Sequence, residues 1–240
     1  SGSGLPTLGT MILIHVANQN GILPTRNFQT GVFPKADDVR GETLKAKYLK
    51  GQIGCWGCPI KCGRVTEVKT GPYKIDGEGP EYETSWALGP NCGVDNLEAV
   101  IKASNLCDDM GIDTISYGNT LGCAMELVEK GKIPKPDLGN INLTWGSSEA
   151  IVNLVEMTAR RKGFGNQIAD GSMRLASKYG APELAMQVKG QELPAYDPRG
   201  VQGQGLAYAT SNRGGCHLRA SMTGPEIFGI PAKVDRFEWK

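Results

Sequence analysis

Apolar residues recur at helical spacing through most of the chain and alternate in only two places. Residues 7–20 carry a mostly apolar helical pattern closed by Gly21, where a glycine commonly takes the left-handed conformation just past a helix end. Residues 42–49 form a short amphipathic segment, and residues 81–88 another that ends at Gly89-Pro90. Asp95-Asn-Leu-Glu98 has the form of a capping box ahead of Val100, Ile101 and Leu106, with Gly111 as the stop. Asp113 or Thr114 caps a further helix to Gly131, Ser147 opens one to Lys162-Gly163, and residues 167–179 make another closed by Gly180. Asp197-Pro198 reads as the N-cap and first residue of a helix towards Ser211. Strand-like alternation is confined to residues 63–70 and 186–189. The pattern predicts a mainly α, multihelical fold with one or two short β-hairpins and helix–turn–helix loops. Residues 1–190 are expected to form one helical domain, with 191–240 the truncated start of the next.

Composition narrows the function classes. The net charge of +1 on 240 residues, with no long basic run, argues against nucleic acid as a partner. The longest apolar stretch, residues 11–17, is far short of the ~20 that a membrane span needs, and His15 interrupts it. No charged segment precedes it as in a signal peptide, so a cytoplasmic location and no membrane partner are expected. His15 itself reads as a core or interface histidine. The 33 glycines are about twice the usual ~7% and imply many tight connections.

Seven cysteines are present, and three crowd into Cys55-Trp-Gly-Cys58-Pro-Ile-Lys-Cys62. An odd, clustered set points to a metal site in a reducing compartment and away from a secreted disulfide scaffold. One tight loop can supply three corners of an iron–sulfur cubane, the fourth ligand arriving from elsewhere. Gly54, Gly57, Pro59 and Gly63 keep the backbone close to such a cluster. Structural zinc uses the same Cys-x2-Cys spacing but usually wants a second paired knuckle, and Cys92, Cys107, Cys123 and Cys216 are isolated. These four read as small buried hydrophobes.

Three acidic or polar concentrations remain. Asp108-Asp-Met-Gly111-Ile-Asp113 reads first as a helix–turn–helix with a glycine stop and an Asp cap. The same residues could cradle a pterin through a carboxylate and free amides. Asp76-Gly-Glu78-Gly-Pro-Glu81-Tyr-Glu83 is a solvated helix start unless it faces a pocket. Residues 208–219 hold His217 and Arg219 beside the pair Gly214-Gly215, which would let a ligand approach the backbone.

Several of these motifs, in order, closely resemble the aldehyde ferredoxin oxidoreductase family. They are residues 54–64 (GCWGCPIKCGR), Gly79-Pro-Glu-Tyr-Glu-Thr84, residues 108–116 and residues 197–219, with Leu23-Pro-Thr-Arg-Asn-Phe28 near the start. The resemblance implies oxidation of aldehydes to carboxylic acids with ferredoxin as electron acceptor. It also implies tungsten, or molybdenum in a few relatives, held by two pterins beside a [4Fe–4S] cluster. By the same resemblance Cys55, Cys58 and Cys62 would be cluster ligands. Asp108, Gly111, Ile112 and Asp113 would form the first pterin motif, with Ile112 standing where the family has Leu. Glu83 would be the carboxylate near the metal, with Glu81 the alternative. His217 would lie near the metal, and Arg219 would reach a pterin.

The family's catalytic chains are much longer and carry an N-terminal β-rich domain and a second pterin motif, Asp-x-x-Gly-Leu-Cys, with the fourth cluster cysteine. Neither is recognisable here, and both termini look cut at Ser1-Gly-Ser-Gly and Phe237-Glu-Trp-Lys240. The chain is therefore expected to be a fragment, inactive alone, whose partners include the missing N- and C-terminal domains; a homodimer is compatible with the family. The competing reading is a non-catalytic helical domain stabilised by iron–sulfur or zinc, acting in electron transfer or as a scaffold.

Overall fold

The computed structural model describes residues 4–229; Ser1 and the Phe237-Glu-Trp-Lys240 end lie outside them. Its first helical segment is broken where the sequence pattern suggested continuity. α1 (Leu5–Leu8) and α2 (Ile12–Gln19) are separated by a 3-10 turn, Gly9–Met11. Gly9 takes φ +65°, and a Cβ there would sit 2.9 Å from the Cys62 carbonyl oxygen. α3 (Gly41–Lys47) follows, and Leu49, expected at its end, instead opens a strand.

The first sheet has three antiparallel strands in the order β1 (Leu49–Ile53), β2 (Gly63–Val68), β3 (Ile75–Glu78). Register runs from Ile53 opposite Gly63 to Val68 opposite Ile75. Only β2 was legible, because β1 and β3 carry a glycine each and no clean alternation. β2 turns Arg64, Thr66 and Val68 inward.

α4 (Tyr82–Leu88) and α5 (Leu97–Met110) begin the helical core. The cap of α5 is Asn96, which accepts from the amides of Glu98 and Ala99. The capping-box reading one residue earlier fails because Asp95 pairs with Lys35. Gly111 ends α5 with φ +67°, and Asp113 caps α6 (Thr114–Glu129) through the Ser116 amide, as the sequence predicted. α7 (Lys135–Leu138) leads to α8 (Ser148–Ala159), capped by Ser147. The expected helix over 167–179 is two, α9 (Gly165–Ile168) and α10 (Ser172–Lys178), split by Gly171 at φ +82°. A two-stranded hairpin, β4 (Gln187–Val188) and β5 (Gln191–Glu192), precedes α11 (Gln202–Thr210) and α12 (Thr223–Phe228).

Asp197-Pro198 does not open α11. The Asp197 carboxylate is taken up by the Arg199 backbone amide and guanidinium, and its carbonyl closes a turn to Gly200 and Val201. The helix therefore starts four residues later.

α5 packs on α8, and α6 packs against both α4 and α10. The backbones of α4 and α6 touch: a Cβ on Gly118 would lie 2.5 Å from the Ala87 carbonyl oxygen. Trp86, fully buried, donates to the Pro24 carbonyl at 2.6 Å and meets Phe28 edge-on at 5.8 Å. Burying such a ring with its N–H satisfied is among the larger contributions a single side chain makes to a core. Tyr196, Val201 and Tyr208 join the same core as the earlier helices. His15 is half-buried, its Nδ1 3.4 Å from Arg40 Nη1. Among the described residues no helix is long and apolar enough to cross a membrane.

Candidate functional site

Glu83 lies in the first turn of α4, where negative charge suits the helix dipole. The amide of Tyr82, one residue before, donates to Thr10 Oγ1 at 2.9 Å. Thr10 in turn donates to the Glu81 carboxylate, so Glu81 is engaged locally. Glu83 points the other way. Its Oε2 accepts the Ala195 amide at 2.9 Å, while Oε1 is buried, without a hydrogen-bond partner, 3.7 Å from His217 Nε2. Burial pushes the Glu83 carboxyl up to about 8; the Ala195 amide opposes this and the Asp113 charge adds to it. Burial lowers the pKa of His217, helped by Arg213. At neutral pH the carboxyl is therefore mostly protonated and the imidazole neutral.

The backbone that brings His217 here is tightly constrained. A Cβ on Gly214 would meet the Val188 carbonyl oxygen at 2.3 Å, and one on Gly215 the Gln191 carbonyl oxygen at 2.9 Å. The glycine pair thus accommodates the β4–β5 hairpin, and Gly215 also lines the cleft in front of His217. Fully buried Gln204 on α11 donates to the Cys216 carbonyl at 3.2 Å and accepts the Met222 amide at 3.2 Å, fixing the loop on both sides of His217. Nothing in the sequence singled out Gln204. Tyr196 stacks obliquely between His217 and Tyr82, with ring centroids 5.8 Å apart on either side.

In front of His217 is a cleft of about 220 Å³ between the start of α6 and the 213–218 loop, lined by Asp113, Ser116, Pro194, Arg213 and His217. Asp113 and His217 are thereby brought together. Asp108 is not: it lines a separate acidic hollow of about 560 Å³ with Asp76, Glu78, Glu81, Asn105 and Asp109. Burial, then the charges of Glu78 and Asp109, raises its pKa. Gly111 and Ile112 line a third hollow beside Tyr117 and Thr120. The 108–113 turn therefore straddles three recesses. Arg219 is exposed and lies outside the lining of the His217 cleft.

The cysteine loop closes the β1–β2 hairpin. The Cys58 amide donates to the Cys55 carbonyl at 2.9 Å, with Gly57 at φ +73° and Lys61 at φ +50°. Its limbs touch: a Cβ on Gly54 would lie 2.9 Å from Lys61 Cα, and one on Gly63 would lie 2.8 Å from Ile53 Cγ1. Cys55 is exposed, Cys58 and Cys62 are half-buried, and Trp56 is fully exposed at the tip. All three thiols are free, and the loop lines neither the His217 cleft nor the acidic hollow. Among the described residues no three His, Cys, Asp or Glu side chains converge as ligands of a single ion. Cys92, Cys107, Cys123 and Cys216 are buried, as expected of small core residues; burial pushes the Cys107 and Cys123 thiols up to about 12.

Residues 1–240 match the sequence model of "Aldehyde ferredoxin oxidoreductase, domains 2 & 3". The chain is 51% identical over 236 residues to the tungsten-containing aldehyde ferredoxin oxidoreductase of Pyrococcus furiosus, covering 98% of this chain and 38% of that one. With the Thermococcus kodakarensis enzyme of the same name it is 50% identical over 236 residues, with the same coverage of each. A Pyrococcus furiosus aliphatic sulfonate oxidoreductase, WOR-like subunit, is 33% identical over 219 residues, 88% of this chain and 34% of that one. Among solved structures, the active-site complex BamBC of benzoyl coenzyme A reductase with 1,5-dienoyl-CoA superposes with a TM-score of 0.64. At 19% identity, over 86% of this chain and 32% of that one, it shares the fold. The chain spans about 38% of the length of the tungsten-containing relatives it matches. On the match along its whole length and on this identity, the chain belongs to the aldehyde ferredoxin oxidoreductase family.

Proposed function

We propose that the protein of which this chain is a fragment, matching the family's domains 2 and 3, oxidises aldehydes to carboxylic acids and passes the electrons to ferredoxin. The observation that carries the reading is the Glu83–His217 pair, with its orphaned buried oxygen, beside the Asp113 cleft. An unpartnered buried carboxyl oxygen is costly to maintain and is the expected mark of a site completed by something else.

The residues present fit the groups that the family implies. Cys55, Cys58 and Cys62 supply thiol donors from one exposed loop, three of the four a [4Fe–4S] cluster needs; the fourth would come from elsewhere in the full-length protein. Asp108, Gly111, Ile112 and Asp113 have the sequence spacing of the family's pterin motif, with Asp113 at a helix start and Asp108 in the neighbouring acidic hollow, and Arg219 adds an exposed cation. When bound, tungsten or molybdenum on two pterins supplies Lewis acidity and a two-electron sink, and the cluster supplies one-electron transfer.

The chain's own residues handle the protons. Oxidising an aldehyde with water releases two protons and two electrons. Glu83, with its pKa raised to about 8, exchanges a proton near neutral pH; in its ionised form, the minority below that pH, it accepts one from the attacking water or hydrated aldehyde at Oε1. His217 stays neutral and donates a hydrogen bond to the substrate oxygen. Tyr196, Tyr82 and Tyr208 wall the pair from bulk water. The 240 residues alone, without the remaining domains, are inactive in this reading. The seven free thiols fit a reducing, cytoplasmic setting.

The test is elemental analysis with acid-labile sulfide on the anaerobically purified full-length protein, with aldehyde oxidation assayed in parallel. Tungsten or molybdenum with about four irons per chain and ferredoxin-linked turnover is expected. Zinc alone, with no labile sulfide and no turnover, overturns the reading in favour of a scaffold domain.

A further inference from the structure

Arg64 occupies the inward phase of β2, where an apolar residue would ordinarily sit, and is only 1% exposed, more enclosed than any other charged side chain described. A guanidinium does not give up its charge on burial, so its desolvation must be offset by partners. Those partners are four backbone carbonyls and no carboxylate. Nη1 donates to Lys61 and Gly63, both at 3.0 Å; Nη2 donates to Leu5 at 2.8 Å and Pro6 at 3.1 Å. Nε is buried with no partner.

Two of the four carbonyls flank Cys62, and the other two belong to α1. The guanidinium fork therefore ties the third cysteine of the loop to the N-terminal helix. Gly9 leaves the space for this, since a Cβ there would crowd both the Cys62 carbonyl at 2.9 Å and Arg64 Nε at 3.2 Å. A rigid link to Cys62 and an unneutralised positive charge behind it are what a loop of thiolates calls for. In a medium of low dielectric constant, a cation beside an anionic cluster favours the more negative, reduced form.

We propose that Arg64 is a positioning residue for the cluster loop, holding the carbonyls of Lys61 and Gly63, the residues either side of Cys62, and holding the potential of a cluster on Cys55, Cys58 and Cys62 up through its buried charge. This rests on the cluster assigned to the loop above. A purely structural arginine would matter to hairpin stability and leave the potential where it was.

The experiment uses the full-length holoprotein, prepared anaerobically, with Arg64→Gln removing the charge and Arg64→Lys keeping the charge but losing the fork. A redox titration followed by electron paramagnetic resonance reads the midpoint of the reduced cluster, and iron release to a chelator reads loop positioning. Arg64→Gln is expected to shift the midpoint downward. Arg64→Lys is expected to keep the wild-type midpoint and to lose iron at least about tenfold faster, the size typical of losing an outer contact to a metal ligand. If Arg64→Gln gives no soluble protein, the iron-release rate of Arg64→Lys decides alone. A wild-type cluster whose midpoint and release rate are unchanged in the variants overturns the assignment to Arg64 and leaves the proposed function standing. A wild-type protein without a cluster overturns both.

Discussion

Glu83 Oε1 and His217 Nε2 face each other at 3.7 Å, the carboxyl with its pKa raised to about 8 and the imidazole with its pKa lowered. Burial thus makes the carboxyl hold its proton more tightly than usual and the imidazole take one up less readily. The Ala195 amide anchors the other carboxylate oxygen, so Oε1 is the one left free.

That relationship sets a pH dependence. Above the ordinary carboxyl value of 4.5 the unfolded chain releases the Glu83 proton, while the folded chain keeps it to about pH 8. The folded state binds more protons across that window, so stability falls as pH rises, by up to about 1.4 kcal/mol per pH unit from this group. Below 6.5 the sign reverses for His217, whose lowered pKa leaves the folded state short of a proton that the unfolded state takes up. Glu83→Gln should flatten the decline between pH 4.5 and 8 in denaturant unfolding of this chain measured at a series of pH values. An unchanged slope would mean that the Glu83 carboxyl titrates normally.

The reassigned cap of α5 separates two neighbouring residues. Asn96→Ala should cost about 1 kcal/mol, because two amides lose their acceptor. Asp95→Ala should cost clearly less, as it removes only a solvent-screened pair with Lys35. Equilibrium unfolding of the two variants side by side distinguishes them.

The contact between α4 and α6 leaves no room for a methyl group. Gly118→Ala must displace the Ala87 backbone, 2.5 Å away, and should destabilise by about 1–3 kcal/mol, despite the better helix propensity of Ala. A gain in thermal stability would mean that the two helices pack further apart.

Gln204 holds the His217 loop without touching the cleft. Gln204→Ala leaves the Cys216 carbonyl and the Met222 amide unpaired and should cost about 1–3 kcal/mol. In the full-length enzyme it should lower turnover with metal content retained. Normal turnover would make the loop's position indifferent to Gln204.

Local chemistry was legible and long-range chemistry was not. Gly111 and Asp113 did at the α5–α6 turn what their positions in the sequence required, because a left-handed stop and an Asp cap involve only nearby backbone. Asp197 offered the same cap signal and was diverted by Arg199, two residues on. β1 and β3 exist because β2 lies between them, not because Leu49–Ile53 or Ile75–Glu78 alternate. Arg64 broke the pattern of its strand, and that break marks a buried charge. No spacing rule joins Glu83 to His217; only the family resemblance named both. Gln204, uncharged and not singled out within residues 197–219, was invisible until the loop it holds was seen.

The most direct test of the central claim is turnover of full-length Glu83→Gln, an isosteric change that keeps an acceptor for the Ala195 amide and removes the titrating proton. The account predicts a fall in aldehyde oxidation of about 10²-fold or more, with tungsten and iron content at the wild-type level. Wild-type turnover in that variant would contradict it and remove Glu83 from the reaction.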